Sequence, residues 1–237
     1  MSELGGKSPN IVFADADLDS AARASASGIF FNAGQVCSAG SRILVQRDCY
    51  AEFVDRLARR AEGLVQGDPR DPGTTLGPLI SRPQQQRVLG YIEAGVAEGA
   101  RLVCGGSAGR DTGFFVEPTI FAGVDNAMKI AQEEIFGPVA TVVPFADEND
   151  AIALANDSPY SLAAAVWTRD ITRGHVMAER LRAGTVWINT YGHTDTRLPW
   201  GGCGGESGVG RDLGRAAIDN YTEQKTVWLN LSAPRAA

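Results

Sequence analysis

Histidine occurs only twice in this 237-residue chain, as His175 and His193, and lysine only three times, as Lys7, Lys129 and Lys225. The two histidines make no evident metal or catalytic pair. With no H-E-x-x-H motif and no G-x-S-x-G elbow, neither a zinc protease nor a serine hydrolase is supported. The four cysteines, at 37, 49, 104 and 203, include no CxxC pair, so no zinc site, thioredoxin-type motif or other metal site is expected. No basic block is present and the net charge is −6, which argues against a nucleic-acid partner. No apolar run approaches the ~20 residues of a membrane-spanning helix. The first six residues show neither a basic n-region nor an apolar h-region. The expectation is a cytoplasmic chain with reduced thiols and no membrane contact.

Hydrophobic residues make up 44% of the chain and charged residues 21%, a balance that supports a sizeable core and excludes a disordered or collagen-like polymer. Strand-like and helix-like segments alternate. Strands are expected at 10–13, 42–46, 102–104, 139–143, 162–167 and 185–189, with 114–121 extended. Helices are expected at 17–31, 50–65, 83–98, 148–155 and 171–181. Residues 68–77 and the glycine-rich 199–210 read as loops, with a helix following near Arg211. The alternation of Val227, Leu229 and Leu231 predicts a last strand. Repeated strand–helix–strand units predict an α/β fold, a mostly parallel sheet flanked by helices.

Four short segments invite chemistry. Cys37 lies in a small-residue turn, Gly34-Gln35-Val36-Cys37-Ser38-Ala39-Gly40, between a helix and a strand. Such a turn can expose a thiol at the mouth of a sheet, where backbone N–H groups stabilise a thiolate or an oxyanion. A lone cysteine is also commonly just a small buried hydrophobe. Glu3-Leu4-Gly5-Gly6-Lys7 places a carboxylate before two glycines; it reads either as a general base or as a solvated terminal arm. Glu133-Glu134-Ile135-Phe136-Gly137-Pro138 offers a carboxylate for sugar hydroxyls and a ring for stacking, or simply a helix end and a turn. The glycines at 208, 210 and 214 suggest a dinucleotide loop, but they follow no strand and no ribose-binding acid completes the unit, so that reading is rejected. His193, in a loop near Trp200, is a candidate substrate contact, whereas His175 reads as structural or surface.

Together these segments, in this order and with these separations, resemble the catalytic, C-terminal portion of the NAD(P)-dependent aldehyde dehydrogenase superfamily. The carriers are Glu3-Leu4-Gly5-Gly6-Lys7-Ser8-Pro9, Phe30 to Cys37, Glu134 to Pro138, and Trp200-Gly201-Gly202. The resemblance implies that Cys37 attacks an aldehyde and that Glu3 activates the water that hydrolyses the resulting thioester. It implies that Glu134 holds the nicotinamide ribose of NAD or NADP, with Phe136 and Leu4 beside the ring, and that Trp200, Tyr191 and His193 line the aldehyde's path. It implies a catalytic domain over 1–220, and over 221–237 an oligomerisation strand and tail of a homo-oligomer. Family members are longer, and most of their nucleotide-binding domain precedes the counterpart of Glu3. Asp212 stands where the family usually has Glu, and the loop at 203–207 is one residue longer than the family's usual loop and lacks its common lysine. Two functions are therefore weighed: aldehyde oxidation, weak in this chain alone, or an inactive remnant that binds a partner. Trp187 and Tyr191 loosely resemble betaine-aldehyde and aminoaldehyde members, but such aromatics run through the family and leave the aldehyde open.

Overall fold

The computed structural model describes residues 2–231. The chain runs β1 (Ser2–Glu3), β2 (Pro9–Val12), α1 (Leu18–Phe30), β3 (Arg42–Gln46), α2 (Tyr50–Glu62), α3 (Arg82–Ala97), β4 (Arg101–Cys104), β5 (Thr119–Ala122), α4 (Lys129–Gln132), β6 (Val139–Phe145), α5 (Glu148–Asn156), β7 (Ala163–Trp167), α6 (Ile171–Arg180), β8 (Thr185–Ile188) and β9 (Gly208–Val209). Helix starts follow from side-chain caps that satisfy first-turn N–H groups. Asp17 accepts from Ser20 N, Ser81 from Gln84 N, Asp147 from Asp150 N, and Asp170 from Thr172 and Arg173 N. The α2 stripe of Phe53, Val54, Leu57, Ala58 and Ala61 is buried, and the helix ends at Glu62, three residues short of the expected Val65. Pro118 shortens the expected extended run 114–121 to β5, because proline has no N–H to give the ladder.

The main sheet has seven strands in the order β4-β5-β6-β3-β2-β7-β8. Only β4–β5 is antiparallel; every other neighbouring pair is parallel. Helices cover both faces of such a sheet, which explains why β3, β6 and β7 read as nearly continuous apolar runs. The rings of Phe13 and Phe145 meet edge to face in the core, with centroids 5.1 Å apart. Among the described residues no helix is long and apolar enough to cross a membrane.

Parallel strands begin on the same edge, and this decides where the motifs meet. Gly5-Gly6-Lys7 enters β2, Cys37 precedes β3, and Glu134 to Pro138 enters β6. The chemistry-bearing turns therefore share the amino-terminal edge of the sheet. The same edge holds Arg42, which is completely buried. Its guanidinium donates to Asn126 Oδ1 (2.9 Å), Leu154 O (2.7 Å) and Ala155 O (2.8 Å), closing the carboxyl end of α5.

Two sequence expectations fail. No helix starts at Arg211: Gly210, Leu213 and Gly214 all have positive φ (94°, 58° and 55°), and only a 3-10 turn forms, at Arg215–Tyr221. Residues 222–230 form no strand, and Val227, Trp228, Leu229 and Leu231 are exposed. Alternation alone makes no strand, and this segment pairs with no strand among the described residues. The rest of the tail, 232–237, lies outside the described residues.

Candidate active site

The turn that carries Cys37 is held in an unusual backbone conformation. After α1 the chain makes a 3-10 turn in which Asn32, Ala33 and Gly34 all take left-handed φ values of 51°, 52° and 73°. Asparagine tolerates this region, whereas alanine there costs roughly 1–2 kcal/mol. Reciprocal bonds offset the cost: Asn32 Nδ2 donates to Gln35 O (3.1 Å) and Gln35 N donates to Asn32 O (3.1 Å). At Gly34 the reason is close approach, because a Cβ there would overlap the Gly137 carbonyl. A Gly34→Ala variant is therefore expected to lose well over ~1 kcal/mol, through positive φ and backbone overlap together. A lowered urea midpoint would show it, and an unchanged midpoint would refute the packing argument.

Beyond this turn Cys37 is a half-buried thiol outside any disulfide. Ala39 N donates to Val36 O (3.0 Å), and Tyr191 Oη donates to Ser38 O (2.7 Å), so the turn is braced from inside and behind. Tyr191 reaches this place because Gly28 and Gly40 leave room: a Cβ on either would lie within 2.8 Å of its ring or hydroxyl. Burial pushes the Tyr191 phenol above its ordinary range, so it acts as a neutral donor. Its hydroxyl is thus committed to the cysteine turn, a bracing role not anticipated alongside that of a substrate-path residue.

The double-glycine segment lies between two partners. A Cβ at Gly6 would stand 2.7 Å from Cys37 O, and a Cβ at Gly5 would overlap the Glu134 carboxylate. Instead Gly6 N donates to Glu134 Oε1 at 3.2 Å. Burial raises the Glu134 pKa, while the Gly6 N–H and the Lys7 and Arg87 charges pull it back. The segment is pinned from the far end of the chain: Leu4 N donates to Ser207 O (3.2 Å), Ser207 Oγ donates to Gly5 O (2.8 Å), and β1 pairs with β9 through Glu3 and Gly208. Only the backbone of Glu3 is described; its side chain lies outside the described atoms. Leu4 is exposed.

Lys7 is fully buried, and burial first, then the Arg42 charge, lowers its pKa to about 7 from 10.5. Between these values the unfolded chain binds the proton that the folded chain has released. Stability relative to Lys7→Met is therefore expected to rise as pH climbs from about 7 towards 10.5. Urea titrations of both proteins across that range check the sign; a flat or falling difference would contradict it.

On the other side of the cysteine turn, Phe136 also has positive φ (56°) and is part-exposed. Its turn is held from α3: Gln84 Nε2 donates to Phe136 O (2.8 Å) and Ile135 O (3.2 Å), and Arg87 donates to Glu134 O (2.9 Å). Phe136, Asn32, Gln35 and Ile80 border an open groove of about 670 Å³. A separate cavity of about 240 Å³ is lined by His193, Trp200, Leu213 and Thr185. Here Trp187 stacks at a tilt between Tyr191 (4.8 Å) and Trp200 (6.1 Å), and its Nε1 donates to His193 O (2.9 Å). His175 is exposed on α6.

The structure thus joins the Cys37 turn, the Glu134 turn and the Gly5-Gly6 segment, and places Trp200 and His193 on one cavity and Phe136 on another. Sequence reasoning missed Ser207, Gln84, Arg87 and the bracing by Tyr191. Each acts through main-chain atoms, and such bonds leave no signature in a motif. Among the described residues no cluster suited to a metal ion occurs.

Residues 1–227 match the Aldehyde dehydrogenase family. A betaine aldehyde dehydrogenase of Cereibacter sphaeroides (strain ATCC 17029 / ATH 2.4.9) is 51% identical over 229 residues, covering 97% of this chain and 47% of the relative. The crystal structure of the aldehyde dehydrogenase KauB from Pseudomonas aeruginosa shares 52% identity and a TM-score of 0.93, over 97% of this chain and 47% of that one. The NAD+ complex of an aldehyde dehydrogenase from Bacillus cereus matches at 50% identity and a TM-score of 0.94, with the same coverage. The chain spans about half the length of these relatives. Identity near one residue in two along almost all of its length, on a superimposable α/β frame, settles its kinship: the chain belongs to the aldehyde dehydrogenase family.

Proposed function

We propose that this chain is the catalytic, C-terminal portion of an enzyme that oxidises an aldehyde to a carboxylic acid with NAD or NADP. The observation that carries the reading is the junction of the Cys37 turn with the Glu134 carboxylate through Gly5-Gly6. The Cys37 thiolate attacks the aldehyde carbon, and the carbonyl oxygen becomes the oxyanion of a thiohemiacetal. Loss of hydride from that carbon leaves an acyl thioester on Cys37. Glu3 takes a proton from water, which attacks the thioester, releases the acid and restores the thiolate.

The residues fit a nicotinamide nucleotide. Glu134 accepts one N–H and retains capacity for ribose hydroxyls, while part-exposed Phe136 and exposed Leu4 offer apolar surface to a flat ring. When bound, the nucleotide supplies the hydride acceptor. Trp200 and His193 line the cavity assigned to the aldehyde, and Tyr191 holds the turn behind the thiol. The exposed segment 222–230 is assigned to pairing between copies in a homo-oligomer.

The test uses two substrates. With p-nitrophenyl acetate, which needs no hydride acceptor, intact-mass analysis should show an acetyl group on Cys37. With NAD+ and a panel of aliphatic, aromatic and amino aldehydes, NADH formation by this chain should be weak, because positioning both reactants is worth about 7–11 kcal/mol and part of the cofactor surface belongs to the rest of the family chain. Failure of Cys37 to acylate would favour the inactive, partner-binding reading. Strong NADH formation would show that the cofactor surface is already complete.

A further inference from the structure

Phenylalanine is bulky and rarely takes a left-handed φ, yet Phe136 does so at 56°. Strain of this kind persists only where the surroundings over-determine it. Here the surroundings are one face of α3. Gln84 and Arg87 are three residues apart on that helix and hold three consecutive main-chain oxygens. Arg87 donates to Glu134 O at 2.9 Å, while Gln84 Nε2 donates to Ile135 O at 3.2 Å and to Phe136 O at 2.8 Å. A side-chain amide nitrogen carries two N–H groups, so Gln84 serves both oxygens at once. Ile135 is buried and Phe136 is part-exposed. The turn thus sends one side chain into the core and the next to the groove bordered by Asn32, Gln35 and Ile80.

The same end of α3 is tied to the cysteine turn. Gln35, two residues before Cys37, accepts from Ile80 N at 3.0 Å through its Oε1. Ser81, next in the chain, caps the helix by accepting from Gln84 N at 3.3 Å. The two turns also abut directly, at Gly34 and the Gly137 carbonyl. A single turn of helix therefore stands between the tie to the Cys37 turn and the tie to the Phe136 turn. Glu134 has holds of its own, from the Gly6 N–H and from Arg87, which do not pass through Gln84.

We propose that Gln84 is a positioning residue: its amide fixes Phe136 in the left-handed conformation that turns the ring to the groove, and the first turn of α3 sets that ring against the Cys37 turn. The proposal rests on the reading of Phe136 as the residue beside the nicotinamide. It gives the two parts of the nucleotide separate holds. Gln84 governs the surface offered to the flat ring, and Gly6 with Arg87 governs the carboxylate offered to the ribose.

Saturation-transfer NMR with nicotinamide mononucleotide tests this, because it reads nicotinamide and ribose protons separately. Methionine and lysine are close to glutamine in helix propensity, so Gln84→Met removes the donor and Gln84→Lys retains one without weakening α3. In Gln84→Met the nicotinamide signals should be lost and the ribose signals kept, and Gln84→Lys should recover the nicotinamide signals in part. The carbonyl 13C shifts of Ile135 and Phe136 report the bonds themselves and should move in Gln84→Met. Unmoved shifts would overturn the clamp whatever the nucleotide does. Nicotinamide signals lost in Phe136→Ala but kept in Gln84→Met would leave the reading of Phe136 standing and overturn the role of Gln84. Loss of both sets of signals together in Gln84→Met would mark a general loosening and overturn that role as well. Nicotinamide signals unchanged in Phe136→Ala would sink the reading of Phe136 itself, and the proposal with it.

Discussion

With Cys37 replaced by alanine, acetyl transfer from p-nitrophenyl acetate to this chain is expected to fall to the level that Cys203 and solvent sustain. Four thiols compete for the ester, and the thiolate is the attacking species. Burial pushes Cys49 and Cys104 up to about 11. At pH 7 roughly one molecule in ten thousand carries either of them as thiolate. Neither can replace Cys37. Cys203 is exposed, with the Arg211 guanidinium 3.6 Å from its sulfur, and is the one credible competitor. The decisive comparison is therefore made in a Cys203→Ala background, by intact mass and by p-nitrophenolate release. Acylation should vanish in the double variant and persist in Cys203→Ala alone. Persistence in the double variant would remove Cys37 from the nucleophile's role and the oxidation mechanism with it.

The second large effect concerns stability. Arg42→Ala is expected to cost on the order of 3–5 kcal/mol, because it leaves the Asn126, Leu154 and Ala155 oxygens buried without their donor and opens a cavity. That is a large share of the 5–15 kcal/mol typical of a whole domain. Burial lowers the Arg42 pKa only to about 10, so at neutral pH the guanidinium is charged and donating. The exposed Arg56–Glu52 pair is a fair control: breaking it should leave the urea midpoint nearly unchanged. Urea denaturation of Arg42→Ala and Arg56→Ala separates the two cases. A midpoint for Arg42→Ala close to that of the unaltered chain would mean that α5 closes by other means.

Much of the architecture could be read from local pattern. Apolar runs such as 139–143 and 162–167 read as strands buried on both faces, and helical periodicity located the helices. The β1–β9 ladder could not be read, because two-residue strands carry no periodicity. Nor could the left-handed Ala33, which opposes its residue's preference and is sustained by bonds from its neighbours. Nor does the sequence show that Lys7 is buried, because lysine is ordinarily exposed. The failed strand at 225–231 shows the converse: the alternation was correctly seen, yet pairing depends on an edge that a sequence segment does not contain. For the site, each motif alone had an ordinary explanation. The motifs converge because parallel strands start on one edge, a property of the topology rather than of any one segment.

The pairing of Ser2 with Val209 and of Glu3 with Gly208 has a consequence for the order in which the molecule assembles. The residues it joins are more than two hundred positions apart. Closing so long a loop is entropically costly and is rewarded only once the intervening sheet exists. During synthesis the thiol turn and the Glu134 turn can both dock before residue 208 has been added, whereas the backbone of Glu3 cannot. A nascent chain therefore holds its cysteine turn before β1 can pair.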